Sequence, residues 1–73
     1  METDYKGYTI EVLTELVPRL PQWWTFRALV FVPDGTVNRF NYHGPHFQTK
    51  DEAEREGLRL VKQWIDDGMP DLR

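Results

Sequence analysis

Thr49-Lys50-Asp51-Glu52-Ala53-Glu54-Arg55-Glu56-Gly57-Leu58-Arg59-Leu60-Val61-Lys62-Gln63-Trp64-Ile65-Asp66-Asp67-Gly68 reads as one amphipathic helix with both ends marked. Its apolar side dictates what the rest of the chain must build. Thr49 as N-cap accepts a hydrogen bond from the N–H of Glu52, and Glu52 reaches back to the N–H of Thr49, the reciprocal pattern of a capping box. Asp51, Glu52 and Glu54 put negative charge at the positive end of the helix dipole. Gly68 suits the left-handed position that ends a helix, and Pro70 follows it. At about 100° per residue, Ala53, Gly57, Leu60, Val61, Trp64 and Ile65 share one stripe, with Leu58 at its edge. Gly57 costs roughly 1 kcal/mol against Ala in mid-helix. That cost predicts a close approach, with a bulky ring on a sheet filling the space above it. Arg55, Arg59 and Lys62 line the opposite side, flanked at i,i+4 spacing by Asp51 and Asp66. Asp66 and Asp67 oppose the dipole at the far end, and the sequence alone gives no reason for it.

Upstream of this helix the periodicity changes to two. Met1 to Lys6 is polar and is expected to fray. Gly7 opens a strand in which Tyr8, Ile10 and Val12 alternate with Thr9, Glu11 and Leu13. Leu16 continues the inner side. Pro18 and Pro21 mark a turn, since neither suits a central strand. The second strand runs from about Trp23 to Val32. Trp24, Phe26, Ala28, Val30 and Val32 form its charge-free core side, and Ala28 is the small residue where a helix can come close. Trp23, Thr25, Arg27, Leu29 and Phe31 form the other side. Pro33-Asp34-Gly35 is a hairpin loop, with Gly35 at the left-handed bulge position. A three-residue loop pairs Val32 with Thr36 and Val30 with Asn38, then Ala28 with Phe40 and Phe26 with Tyr42. A two-residue loop would turn Arg39 and Asn41 inward, so the longer loop is the consistent one. The third strand is then about Thr36 to His43. Gly44-Pro45-His46-Phe47 leads into the helix, with Phe47 folding over its first turn.

The expected fold class is therefore α+β: a three-stranded antiparallel β-meander with one C-terminal α-helix packed on one face, in the order β-β-β-α. Residues 1–73 form a single domain, with 1–6 and 69–73 expected to be flexible. A domain of 73 residues buries only about 60% of its unfolded surface. Its 14% aromatic content, with three Trp, points to a small core built from large side chains. The net charge is −3 and the pI about 5.2. Neither the strand region nor the helix region carries a basic excess, which argues against a dedicated nucleic-acid binder. There is no Cys, hence no disulfide framework and no thiolate metal site. No apolar run approaches the 18 or so residues that span a bilayer, and no signal peptide is visible. A cytoplasmic protein without a membrane partner is the expectation.

The order of strands and closing helix, with Phe47-Gln48-Thr49-Lys50-Asp51-Glu52-Ala53 at the helix entry, resembles small bacterial domains with a double-stranded-RNA-binding-like fold. The Thr-x-x-Glu-Ala entry is also similar to that of HicB-type antitoxins. The resemblance covers roughly Tyr8 to Asp67 and implies the β-β-β-α layout and, for the antitoxins, a regulatory role. Double-stranded-RNA-binding domains add an N-terminal helix and begin their last helix with lysines that touch phosphate. Here Asp51, Glu52 and Glu54 stand at that end and would repel it. Gly44-Pro45-His46 echoes that family's Gly-Pro-x-His but precedes the helix instead of separating two strands. HicB-type antitoxins usually add a DNA-binding segment, which the stretch after Gly68 does not supply. The RNA-binding role is therefore not carried over, and binding of double-stranded RNA is not expected.

Catalytic chemistry has little to stand on. The sequence contains neither Ser nor Cys, and no His-Thr spacing offers an activated nucleophile. His43 and His46, with Asp34 or Glu52, are the candidate metal ligands. They sit on a Gly-Pro loop without the helical or strand spacing that fixes both rings, so neither metal nor cofactor is expected. Arg55, Arg59 and Lys62 read as a solvated helix face. The outer sheet face is different. Leu13, Trp23, Leu29, Phe31 and Val37 are too many large apolar groups for a solvent face, and Arg27 and Arg39 lie among them. Trp23, Arg27, Leu29, Phe31, Val37 and Arg39 are accordingly the candidate interaction residues, with Trp23 and Phe31 as anchors. The implied function is non-enzymatic: association with a protein partner or with a second copy of the chain. Stacking of single-stranded nucleic acid on the same face is the alternative. The competing structural explanation is that the N-terminal arm or C-terminal tail covers these residues.

Overall fold

A computed structural model describes residues 2–70. Strands β1 (Glu2–Tyr5), β2 (Tyr8–Val17), β3 (Leu20–Phe31) and β4 (Val37–Asn41) precede helix α1 (Lys50–Asp66). The strands form one antiparallel sheet in the order β1-β2-β3-β4, with consecutive strands neighbouring. The α+β class and the C-terminal helix are as the sequence implies. The strand number is not: the sheet has four strands, because Glu2–Tyr5 pairs with the start of β2. A two-residue turn joins them, with Lys6 at φ 50° and Gly7 at φ 86°. Both left-handed values match the twist of a tight hairpin. The strand is hard to read in sequence because Glu2, Thr3 and Asp4 give it almost no apolar alternation.

The β3–β4 hairpin has the expected register. Val30 pairs with Asn38 and Ala28 with Phe40. The Val32 N–H donates to the Thr36 carbonyl at 2.8 Å, and the Gly35 N–H donates to Val32 at 2.9 Å. The Asp34 carboxylate accepts from the Thr36 N–H at 2.8 Å, which holds the loop closed. Beyond Asn41 the ladder gives way to one bridge: Trp24 and Phe47 exchange both backbone bonds, at 2.7 and 2.8 Å. This bridge brings Phe47 beside β3 and delivers the chain to the helix start.

β3 begins earlier than the prolines imply. Val17 pairs with Leu20 across a turn at Pro18-Arg19, and the register shifts between Leu16 and Val17. Pro21 lies in the stretch of β3 that this shift leaves out of the ladder, where its missing N–H breaks no bond. The resulting β2–β3 arm outreaches its neighbours. Leu16 is on the inner side as expected, but it is 47% exposed because it lies past the helix.

The core is the layer between sheet and helix. Ile10, Val12, Phe26, Ala28, Val30 and Phe40 from the strands meet Ala53, Val61, Trp64 and Ile65 from α1, with Phe47 closing one end. Phe26 stacks on Tyr42 at 4.7 Å between centroids and on Phe40 at 5.9 Å. Gly57 lies directly over this cluster: a Cβ there would be 3.0 Å from the Phe26 ring and 3.2 Å from Val12. The ring predicted above the helix glycine is therefore Phe26.

Both helix ends follow the sequence signals, except that among the described residues the Glu52 carboxylate does not accept a return bond from the Thr49 N–H. The Thr49 hydroxyl accepts from the Glu52 N–H at 3.1 Å. At the other end Gly68 takes φ 87°, its N–H donates to Ile65, and the Met69 N–H donates to Trp64. These two bonds satisfy carbonyls that a helix end otherwise leaves open. Met69 then packs on the core, and the Trp64 indole N–H donates to the Pro70 carbonyl at 2.8 Å. The first residues of the expected tail are thus anchored; Asp71 to Arg73 lie outside the described residues.

The helix ion pairs differ from the i,i+4 expectation. Arg59 pairs with Glu56 at 2.7 Å, and Lys62 lies over the Tyr5 ring at 5.3 Å. Asp66 is held by Lys6 at 2.7 Å and by the Tyr5 hydroxyl at 2.9 and 3.0 Å. That is the physical reason for a carboxylate at the unfavourable end of the dipole: it ties the β1–β2 turn to the helix.

Candidate interaction face

Because side chains alternate across a strand, the residues facing away from α1 are fixed by the register. They form rows across the sheet. Thr9, Phe31 and Val37 are directly opposite one another in one row. Glu11, Leu29 and Arg39 form the next, and Leu13, Arg27 and Asn41 the third. β1 extends the first two rows with Asp4 and Glu2. Five of the six candidate residues, Arg27, Leu29, Phe31, Val37 and Arg39, are therefore contiguous. Trp23 is not with them. It lies in the irregular stretch of β3 beyond Thr25, six positions from Leu29, or about 20 Å along an extended strand.

None of Leu13, Trp23, Leu29, Phe31 and Val37 packs on the core cluster. Val37 is 47% exposed, and the other four are half-buried by their neighbours in the sheet. The patch is thus less open than a count of apolar residues implies. A shallow depression of about 270 Å³ runs through it, lined by Leu13, Arg27, Ala28, Leu29, Arg39 and Asn41. Arg27 and Arg39 are exposed at its rim. Among the described residues, neither makes an ion pair. Among the described residues the terminal segments do not lie over this face: β1 joins the edge of the sheet, and Met69 packs on the helix side.

Two apolar residues outside the candidate set are more exposed than Trp23, Leu29 and Phe31. Leu16 at 47% and Leu20 at 42% stand at the end of the β2–β3 arm. Leu16 reads as core-side from alternation and Leu20 has no place in that pattern; Pro18 and Pro21, which flank Leu20, are the available signal for a protruding hairpin. His43 and His46 are both exposed in the connection between β4 and α1. Among the described residues, no three His, Cys, Asp or Glu side chains cluster in a way that could hold a metal ion. Nor, among the described residues, is any helix long and apolar enough to cross a membrane.

The Tyr42 hydroxyl donates to the Pro45 carbonyl at 2.7 Å. Burial and then the nearby Glu56 carboxylate push its ionisation upward, as a low-dielectric site does for any group that would become an anion. Its ring belongs to the aromatic core beside Phe26 and Phe47.

No protein-family model, no curated protein and no solved structure matches this chain. The functional reading accordingly comes from the geometry.

Proposed function

We propose that this is a non-enzymatic association domain whose outer sheet face is a protein interface. The observation that carries this reading is the contiguous patch of Leu13, Leu29, Phe31 and Val37, which packs on no core residue and is covered by no described element. Apolar patches of this kind on small domains mark contacts. A chain with so small a core also gains more from association than a large one. The exposed Arg27 and Arg39 beside half-buried Leu29 and Phe31 have the composition of an interface rim around an apolar centre.

A second reading uses the same residues. Arginines that form no ion pair among the described residues, close to Phe31, can hold single-stranded nucleic acid by stacking and phosphate contact. Salt separates the two. Nucleic-acid affinity falls steeply with ionic strength, whereas an interface with an apolar centre changes little.

The test is to replace Leu29 by Lys and Phe31 by Glu together. Neither side chain belongs to the core, so the variant is expected to melt cooperatively like the parent. The parent is expected to sediment as an assembly, alone or with a protein retained from lysate, and the variant as a bare monomer. A parent that is monomeric at high concentration and retains nothing overturns the reading, as does a double variant that fails to fold.

A further inference from the structure

The outer face is electrically divided. Its acidic residues, Glu2, Asp4, Glu11 and Glu15, are all on β1 and β2, and its arginines, Arg27 and Arg39, are on β3 and β4. The division is sharpest in one row, where Glu11 and Arg39 stand on either side of Leu29. Rotating that row by half a turn about β3 exchanges the carboxylate and the guanidinium and leaves Leu29 in place. The next row behaves similarly, with Phe31 central between Thr9 and Val37.

The Glu11–Leu29–Arg39 row is complementary to itself under that rotation, whereas Arg27, central in the third row, comes to face its own counterpart at the end of the patch. We infer that the partner of the outer face is a second copy of this chain, packed sheet to sheet about a two-fold axis running along β3. This inference rests on the reading of the outer face as an interface and names its occupant. In such a pair Leu29 and Phe31 meet their own counterparts at the centre. Each Arg39 reaches the other copy's Glu11, giving two equivalent ion pairs, as an isologous contact requires.

Two features of the single chain point the same way. Glu11 lies directly opposite Glu2 in the β1–β2 ladder, and like charges directly opposed on a sheet repel. Neither acid is ion-paired among the described residues, and Arg39 is equally without a pair. A second copy supplies a cation to the acids and an anion to the arginine in one step. The dimensions also fit. The Cα trace measures 38 × 25 × 18 Å. A standard interface covers about 800 Å² per partner, which is roughly a sixth of the chain's 5085 Å² of surface.

The experiment is a charge exchange read by sedimentation equilibrium, with circular dichroism melts to show that each variant is folded. Glu11→Arg places arginine against Arg39 twice in a homodimer, and Arg39→Glu places glutamate against Glu11 twice. Each single variant is expected to dimerise at least about a hundredfold more weakly than the parent, since facing like charges at an interface cost several kcal/mol. Mixing the two variants in equal amounts matches Arg with Glu at both positions and is expected to restore the dimer. Carrying both substitutions on one chain restores it as well. Misfolding of either variant predicts no such rescue. Single variants as dimeric as the parent, or folded variants whose mixture stays monomeric, overturn the inference. A monomeric parent that retains another protein through Leu29 and Phe31 overturns self-pairing alone; a monomeric parent that retains nothing overturns the interface reading beneath it.

Discussion

Two residues carry more of the architecture than their chemistry announces. Gly57 sets the distance between helix and sheet, because a Cβ there would be 3.0 Å from two carbons of Phe26. Phe26 cannot step aside easily, since Phe40, Tyr42 and Phe47 surround its ring. Gly57→Leu gains helix propensity of roughly 1 kcal/mol but overpacks a filled site, at about 1–3 kcal/mol or more. Thermal melts are expected to show net destabilisation; a higher Tm would place Gly57 on the exposed side. Asp66 is the second. The bond from Lys6, and after it the bond from the Tyr5 hydroxyl, hold its carboxyl below the usual carboxylate range. A carboxylate depressed on folding adds stability above its unfolded pKa and loses it as pH falls through the folded value. The domain should therefore lose stability on acidification below about pH 4, where the unfolded carboxyl begins to bind protons. Lys6, raised chiefly by its bond to Asp66, works in the opposite direction. Its contribution is complete below the ordinary lysine value and is lost as pH rises through the folded one. Asp66→Asn should flatten the acid limb of a Tm-against-pH profile, and an unchanged limb would show that the contact is not formed in solution.

At the scale of elements, legibility followed the density of physical signals. The helix was legible from end to end, because cap, stripe and terminal glycine agree on one span. The β3–β4 hairpin was legible down to its pairs, because a one-residue slip would bury Arg39. β1 was not, since Glu-Thr-Asp-Tyr offers a single apolar residue and its strand character comes from the turn that follows. The β2–β3 arm was half legible: its prolines were read as a boundary, whereas one is the turn and the other sits in a register shift that tolerates it. The helix makes the sharpest prediction at this scale. Trp64 is 8% exposed, meets Phe40 edge-on at 5.3 Å and anchors Pro70 through its indole N–H. Trp64→Ala should cost about 3–5 kcal/mol, comparable with the whole stability of a small domain at about 5 kcal/mol. Loss of the cooperative melt is expected. A variant melting within a few degrees of the parent would mean that the helix docks through other residues.

For the whole molecule, the candidate face was legible only as far as the charge-free side of β3 identified the core and so left the other side bare. The rows that join Arg27, Leu29, Phe31, Val37 and Arg39 depend on pairings across three strands. The division of charge depends on β1, which sequence periodicity does not reveal. Alternation groups Trp23 with the others, but it falls in the stretch of β3 that the register shift leaves out of the ladder. The same distribution of charge bears on nucleic acid. Duplex binding needs a run of cations spaced to meet phosphates. The start of α1 offers Asp51, Glu52 and Glu54 instead, of which Asp51 is exposed and the other two half-buried. On the outer face the two arginines are outnumbered by Glu2, Asp4, Glu11 and Glu15. The helix side has Arg55, Arg59 and Lys62, but Arg59 is paired with Glu56 and Lys62 lies over the Tyr5 ring. Among the described residues, no surface therefore presents uncompensated positive charge over the span of a duplex groove. An anisotropy titration with double-stranded RNA at physiological salt is expected to show no binding, and submicromolar, salt-sensitive binding would show that the acids at the helix start do not face the ligand.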